Sequence, residues 1–498
     1  MNQGSIENQV DLDEQQIVRL NKLKDLRSTG FNFPNNHTVN SKAQEIREKA
    51  TSEGAGSNEE YSLAGRIIRN RLMGKAAFFQ LQDISGDVQV YIKQDEVGVD
   101  QFEIFKSLDL GDIVQVKGKP FITKTGEPSL HASSFNLLVK CLHPLPDKWH
   151  GLTDVEIRYR KRYLDLIVNP EVKKAFITRS KIISKIRDFF NKRDYLEVET
   201  PVLNSVASGA SAKPFLTHHN ALDIELNCRI ALELPLKKLV VGGLERVYEI
   251  GRVFRNEGIS TEHNPEFTMI EFYQAYATYH DLMDLTEELF GELSRDVLGT
   301  EKISFKGNEI SLKGPFKRMT MRDAIYELGE ISNSNSLQSL EDVQSAAKTL
   351  GLHEVSKLTD YGMIIYEIFD QVCQPKIINP VFVTEHPLSV SPLARKSEHD
   401  PRFTDRFELF ICGMEVANAF SELNDADDQK ERMLNQLKAK ESGDEEAMGY
   451  DEDFISALEY GLPPTAGQGI GIDRLVMLLT GQESIRDVIL FPTLKPQQ

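Results

Sequence analysis

Four cysteines and one tryptophan in 498 residues are the scarcest side chains of this sequence. Cys141, Cys228, Cys373 and Cys412 are scattered and form no CxxC pair. That excludes a disulfide scaffold and favours structural thiols in a reducing compartment. Positive charge is also short: 58 Lys and Arg stand against 76 Asp and Glu, a net charge of -18. A polyanion repels such a chain, so any nucleic-acid contact must come from a local basic patch. No apolar run of about 18 residues is present to span a bilayer. The opening MNQGSIENQVDLDEQQ is too polar and acidic for a signal peptide. A cytoplasmic protein with no membrane partner is expected, and no repeat or low-complexity tract is evident.

What is present is ample material for a core. Apolar residues make up 40% of the chain, and its length implies two or three domains. Residues 1–16 are expected to be a disordered tail. Ile17, Leu20, Leu23 and Leu26 recur at helical spacing up to Gly30, and residues 17–60 read as a helical segment followed by the polar linker TSEGAGSNEE. From Tyr61 to Leu142 the apolar period becomes two. YSLAGRIIRN, AAFFQLQDI, DVQVYI, DIVQVKGKPFI and PSLHASSFNLLV predict five short strands, with one helix at QFEIFKSL, which suits a small OB-type barrel. Residues 143–169 read as a linker containing the lone Trp149.

A second domain is expected over residues 170–498. Asn169, Pro170 and Glu171 predict a helix start with Asn169 as the capping side chain. Phe176, Ile183, Ile186 and Phe190 supply that helix with an apolar stripe, and LEVETPVL reads as the strand after it. Later strand-like runs lie at 246–255, 267–274, 379–384, 406–412 and 415–422, and helical ones at 281–298, 320–328, 340–350 and 425–441. Loops too short for parallel crossovers predict a mostly antiparallel sheet with flanking helices, an α+β arrangement.

Three stretches carry chemistry. FRNEGISTEHNPEF, at 254–267, is polar between two strand-like flanks, so it reads as the loop of a long hairpin. On the second strand, period two places Phe267, Met269, Glu271 and Tyr273 on one face and Thr268, Ile270 and Phe272 on the other. The first face suits an open site; a solvated edge hairpin is the plain alternative. AGQGIGIDRLVMLLTG alternates Gly467, Gly469 and Gly471, baring one strand face against which a flat ligand could lie, with Arg474 directly after it for an anion. A tight strand-to-helix corner would look similar. DRFELFICGMEVANAFSELND holds Glu408, Glu415, Asn418 and Glu422 among apolar residues. Buried carboxylates are costly unless satisfied, which points to a divalent cation, an ammonium-bearing substrate or both. Ion pairs to Arg402 and Arg406 are the alternative. By parity Glu415 faces away from Asn418, Phe420 and Glu422, so a bulge would be needed.

Taken together these stretches resemble the class II aminoacyl-tRNA synthetases: FRNE looks like their motif 2, GQGIGIDR like motif 3, and the helix ending in EVETPVL like motif 1. With GASAKPF, HNPEFT, FSELND and the preceding barrel, the chain is similar to the bacterial lysyl-tRNA synthetases from about Ile17 to Phe491. The resemblance implies an N-terminal OB-fold anticodon-binding domain (61–142) and a class II catalytic domain (170–498). It implies a lysine–tRNA ligase that uses ATP and magnesium, acts on tRNA(Lys) and forms a homodimer through motif 1.

Residue by residue, the resemblance implies that Arg255 contacts the α-phosphate of ATP, Glu257 the adenine, and Phe267 stacks on the base. His263 and Arg474 would hold the outer phosphates, with Arg255 and Arg474 the catalytic pair. Glu408 and Glu415 would ligate magnesium, Glu408 also bordering ATP. L-lysine would lie among Glu233, Glu271 and Glu422, with Tyr273, Asn418 and Gly209 beside them. Acids suit an ammonium, whereas a pocket for aspartate should offer Arg or Lys. On the barrel, residues 61–82 carry Arg66, Arg69, Arg71 and Lys75 and no acid. Basic charge with an aromatic beside it is a single-strand RNA surface. Phe78 would stack on an anticodon base, with Gln89 and Glu127 reading uridine edges. Departures from the family's pattern are Asp194 for a glycine, Pro235 for a tyrosine, which puts the placement of Glu233 in question, and Ala417 and Ala419 for glycines, expected to narrow the lysine pocket. Glu262 has no role and is expected to point to solvent.

Overall fold

The computed structural model describes residues 13–53, 59–146, 152–331, 337–441, 443 and 447–497. The expected tail over 1–12, half of the TSEGAGSNEE linker (54–58) and Trp149 lie outside the described residues. The chain divides into two units, Met1–Thr153 and Asp154–Gln498.

In the first unit the expected disorder up to residue 16 gives way to a helix, Glu14–Ser28. It starts there because the side chain of Asp13 accepts from the backbone N–H of Gln16. A second helix, Ala43–Glu53, runs into what read as linker. Five strands follow: β1 (Tyr61–Met73), β2 (Ala76–Gln82), β3 (Asp87–Lys93), β4 (Ile113–Ile122) and β5 (Pro128–Val139). They close into a barrel in the order β1-β2-β3-β5-β4, with only β3 and β5 parallel. Period two sends Phe79, Val90, Ile92, Val114 and Phe135 inward, where they pack with Phe102 and Phe105 of the Val99–Lys106 helix.

Among the described residues, the second unit holds thirteen strands in an eight-stranded main sheet and two smaller ones. Its strands are β6 (Leu196–Glu197), β7 (Leu203–Asn204), β8 (Leu216–His219), β9 (Ile224–Cys228), β10 (Arg246–Phe254), β11 (Glu266–Ala275), β12 (Lys302–Phe305), β13 (Asn308–Ser311), β14 (Lys317–Thr320), β15 (Val381–Pro387), β16 (Phe403–Ile411), β17 (Met414–Ser421) and β18 (Thr465–Gly471). The main sheet runs β14-β15-β16-β17-β18-β11-β10-β6 and is antiparallel from β15 to β10, with a parallel pair at each edge. β7, β9 and β8 form a separate three-stranded sheet, and β12 and β13 a hairpin. Helices Pro170–Asn191, Tyr279–Leu293 and Ile472–Thr480 supply the apolar side chains that pack with Ile270, Phe272, Phe407, Leu409 and Ile470.

The helix after Asn169 starts as its sequence predicts, but Asn169 does not cap it. Its amide donates 2.6 Å back to Asp165, and the Pro170 ring alone sets the first turn. The buried stripe is Ala175, Ile182, Ile186, Phe189 and Phe190; Phe176 and Ile183 are only half-buried. At the end of that helix Asp194 sits at φ 62, the left-handed conformation in which Asp is tolerated. LEVETPVL is not one strand. Only Leu196–Glu197 pairs with β10, and Leu203 joins β9. Pro201 between them has no N–H for a ladder, and Thr200 instead donates to Glu249 through both its N–H (3.0 Å) and its hydroxyl (2.7 Å). All four cysteines are free thiols, and no described helix is long and apolar enough to cross a membrane.

Candidate active site

Glu271 and Tyr273 leave β11 on the face opposite Ile270 and Phe272, as period two predicts, and look into a cleft of about 690 Å³. The cleft floor is formed by β11, β18, β17 and β16. Arg255, Glu257, His263, Phe267, Glu408, Glu415, Asn418, Glu233, Gly209 and Arg474 all line it. The FRNEGISTEHNPEF stretch is the hairpin loop between β10 and β11, and it is tied down rather than free in solvent. Arg255 N–H donates to Pro265 O (2.8 Å), Asn256 N–H to Lys213 O (2.7 Å) and Ile485 N–H to Thr261 O (2.7 Å).

At one end of the cleft the acids gather. Glu271 is buried; one of its oxygens accepts from the N–H of Leu232 (2.9 Å) and the other from the hydroxyl of Tyr273 (3.1 Å). Burial, and next the charge of Glu233, push its carboxyl up to about 7. Glu233 is the first residue of the Glu233–Val241 helix. Pro235 falls in that helix's first turn, where an N–H would lack an intrahelical partner in any case, so it leaves Glu233 in place. Gly209 is at φ 91, and a Cβ there would lie 3.3 Å from Ala231 and 3.4 Å from Glu233; both conformation and room call for glycine. Glu422 follows β17 and is almost fully buried.

Sequence reasoning missed Lys237. It is fully buried, with Nζ 2.5 Å from Glu233 and in an ion pair with Glu422. The i, i+4 spacing of Glu233 and Lys237 was the available signal. The flat bare strip expected along the alternating glycines is also not there at Gly467. A Cβ on Gly467 would fall 2.2 Å from both Glu422 Oε1 and Tyr273 Cε1, so the protein's own side chains occupy that space. Of the two alanines expected to narrow the pocket, Ala417 borders the cleft and Ala419 does not. By parity both side chains leave the strand on the face opposite Asn418, and both belong to the apolar core cluster.

The bulge that Glu415 requires is present. Leu409 pairs with Ala417 but Phe410 pairs with Glu415, leaving Val416 as an extra residue on β17. The slip brings Glu415 onto the face of Asn418 and into the cleft with Glu408. Arg406 holds this end: it lies 2.5 Å from Glu408, donates 3.0 Å to Asn418 Oδ1 and also binds Val390 O and Ser391 Oγ. The ion-pair alternative is therefore realised for Glu408 with Arg406, while Arg402 pairs with Asp400 instead. The carboxyl of Glu415 is raised by burial and by the charge of Glu408.

Beyond Glu415, Arg474 donates 2.6 Å to its backbone carbonyl and lies 3.2 Å from His263 Nε2. Partial burial and the Arg474 charge lower the His263 pKa, so the imidazole is neutral near pH 7 and can accept from that arginine. The Arg255 guanidinium sits 5.2 Å above the Phe267 ring. Glu262 does not simply face water: it is half-buried at the cleft and 2.9 Å from Lys306. Asp473 is structural, accepting from Thr268 N–H (2.7 Å) and pairing with Arg179 at 2.5 Å. Glu266 contributes its carbonyl, which accepts from Asn264 (2.6 Å).

On the barrel, Phe79 is buried and Phe78 is half-exposed, its ring 4.9 Å from Tyr91. Strand register sets Arg71 opposite Phe78, and Arg69 opposite Gln80, which in turn faces Gln89. Arg69, Arg71, Phe78, Gln89 and Tyr91 therefore share the outer face. Gln89 donates 2.9 Å to Ser129, and Glu127, at the β5 end, accepts through its carbonyl from Ser129 (3.1 Å). Tyr91, Phe121 and His131 extend the aromatic surface, with His131 5.1 Å from Tyr91 and 5.5 Å from Phe121; these three were not foreseen.

An antiparallel six-stranded centre, a long hairpin with an arginine at its mouth and a glycine-rich strand running into a helix define a class II synthetase core. Residues 154–495 match the family described as tRNA synthetases class II (D, K and N), and residues 61–138 match the OB-fold nucleic acid binding domain. The chain belongs to the class II tRNA synthetases of the D, K and N group. Among its curated relatives, the lysine–tRNA ligase of Bacillus subtilis (strain 168) is 53% identical over 98% of both chains. That of Carboxydothermus hydrogenoformans is 51% identical over 98% of this chain and 99% of its own.

Proposed function

We propose that this chain is a lysine–tRNA ligase, forming lysyl-adenylate and pyrophosphate from L-lysine and ATP, then moving the lysyl group to the 3′ end of tRNA(Lys) with release of AMP. The observation that carries the reading is the group of buried carboxylates at one end of the cleft, Glu233, Glu271 and Glu422. They offer acceptors to ammonium groups, and the lysine beside them, Lys237, is already paired with Glu233 and Glu422. Each charge-assisted hydrogen bond made there contributes on the order of 1.5–3 kcal/mol. Analogues that leave such groups unpaired are rejected.

The first step needs no protein base, since the carboxylate of lysine is ionised near pH 7. It attacks the α-phosphorus in line, and the bond to pyrophosphate breaks. Gly209, Tyr273 and Asn418 orient the amino acid. Arg255 stabilises the charge on the α-phosphate, and Arg474, with neutral His263 accepting from it, holds the outer phosphates. Phe267 and Glu257 take the adenine. Glu408 and Glu415 fit a magnesium ion: two mutually repelling carboxylates on a cleft wall are relieved by a hard cation with oxygen ligands. Among the described residues no group of three or more His, Cys, Asp or Glu gathers that could hold a metal ion. The cation would neutralise charge on the phosphates.

The barrel face of Arg69, Phe78, Gln89 and Glu127 binds the anticodon. Homodimerisation is supported by an exposed apolar set on the small sheet, Leu203, Leu216 (62% exposed) and Ile224. The cytoplasm is the setting that fits. ATP–pyrophosphate exchange that requires lysine and is lost in Arg255→Ala tests the reading; exchange driven by aspartate or asparagine would overturn the substrate assignment.

A further inference from the structure

We propose that Lys237 is a built-in counter-ion that sets the charge of the amino-acid pocket and positions two of its carboxylates for a substrate carrying two ammonium groups. The inference rests on the lysine reading above. In the ionised form that binds an ammonium, the three carboxylates, Glu233, Glu271 and Glu422, carry three negative charges, and Lys237 returns one positive charge. The remainder, two, equals the α- and ε-ammonium charges of lysine. Balancing the buried charges offsets part of their desolvation cost and leaves no buried charge uncompensated.

The geometry supports a positioning role. Lys237 Nζ holds Oε1 of Glu233 at 2.5 Å and pairs with Oε2 of Glu422. One oxygen of each carboxylate is thereby fixed. Glu422 Oε1 is left buried without a hydrogen-bond partner, in the space that Gly467 keeps open beside Tyr273. A buried, aimed and unsatisfied carboxylate oxygen is a site for an ammonium donor. The Lys237 ammonium also lies 5.4 Å from the Phe420 ring and 5.7 Å from Phe454, which hold it in place without adding hydrogen-bond competitors.

The groups facing this pair are Glu271 and Tyr273 from β11, Arg406 from β16 and, more distantly, Arg255. Burial raises both Glu233 and Glu422, and the Lys237 charge opposes that rise in each. Without Lys237, burial and mutual repulsion act unopposed, and the carboxyls retain protons to higher pH. Lysine must then expel those protons to bind.

Lysine-dependent ATP–pyrophosphate exchange, read between pH 6.5 and 9, tests this in the full chain. Lys237→Met is expected to raise the KM for lysine at least tenfold at pH 7, to leave kcat within threefold, and to recover affinity as pH rises. An unchanged lysine KM and pH profile would overturn the proposal, as would a loss lying in kcat and equal at every pH. Should Lys237→Met fail to fold, Lys237→Met with Glu422→Gln removes both charges together. Its lysine KM is expected to be no worse than that of Glu422→Gln alone, and additive losses would overturn the proposal. A wild-type chain without lysine-dependent exchange would refute the proposed function instead, so the two failures are distinct.

Discussion

Replacing the three alternating glycines of β18 one at a time gives a graded forecast. At Gly467 an added methyl would stand 2.2 Å from Tyr273 Cε1 and from Glu422 Oε1. Ordinary contact distances are about 3.5–4.0 Å, so more than an ångström of movement is needed. Neither neighbour can give way: Tyr273 is buried and bonded to Glu271, and Glu422 is locked by Lys237. Overpacking of this kind costs about 1–3 kcal/mol, and here it falls on two groups that would hold lysine. Gly467→Ala is therefore expected to raise the KM for lysine roughly 5- to 150-fold, at 1.4 kcal/mol per factor of ten, while the KM for ATP changes little. At Gly469 the nearest atom is the flexible end of Met269, at 3.0 Å, and the effect should be small. At Gly471 the nearest atoms belong to Arg474 at 3.8 Å, so Gly471→Ala should match wild type. Steady-state exchange with lysine or ATP varied reads all three. A Gly467→Ala enzyme that binds lysine like wild type, or a Gly471→Ala enzyme that loses it, would refute the packing argument.

Three further outcomes follow from the site. Because burial raises Glu271 to about 7, its carboxyl is protonated below that pH and ionised above it; an ammonium binds the ionised form. The KM for lysine should therefore fall as pH rises toward 7 and level off above it, and Glu271→Gln should bind poorly with that limb absent; a limb that persists in the variant would mean another group carries it. Phe78→Ala should weaken tRNA binding by about 1–3 kcal/mol while sparing exchange, because the ring stands on the outer barrel face; a filter-binding result equal to wild type would make Phe78 a core residue only. The partly exposed pair of Glu262 with Lys306 is worth about 0–1 kcal/mol, so Glu262→Gln should shift the KM for ATP less than about fivefold, and a larger change would place Glu262 on the nucleotide.

Much of this site was legible because short-range rules governed it. Period two placed Glu271 and Tyr273 on the open face and Ile270 and Phe272 in the core. The polar run between two apolar flanks marked the hairpin loop. The strand content of residues 61–142 predicted the barrel. What escaped the sequence depended on contacts far along the chain. The spacing of Lys237 from Glu233 hints at a helical ion pair, but its burial follows only once Glu422, from a different element, is folded against it. The bulge at Val416 leaves no composition signal, yet it decides which face Glu415 takes. Arg406 could be named only as one of two possible partners, and just one of the two, Arg406, reaches Glu408. Gly467 suggested an empty strip because parity cannot show that Tyr273 and Glu422 fill it. Glu262 was expected in solvent, since nothing near it in sequence foretells Lys306.

The most direct test of the account is aminoacylation of a tRNA(Lys) transcript by the full chain, with lysine, aspartate and asparagine offered separately in the presence of ATP and magnesium. The buried acids of the cleft predict charging with lysine alone, dependent on ATP and accompanied by AMP release. Charging with aspartate or asparagine, or lysine activation without transfer to tRNA, would contradict it.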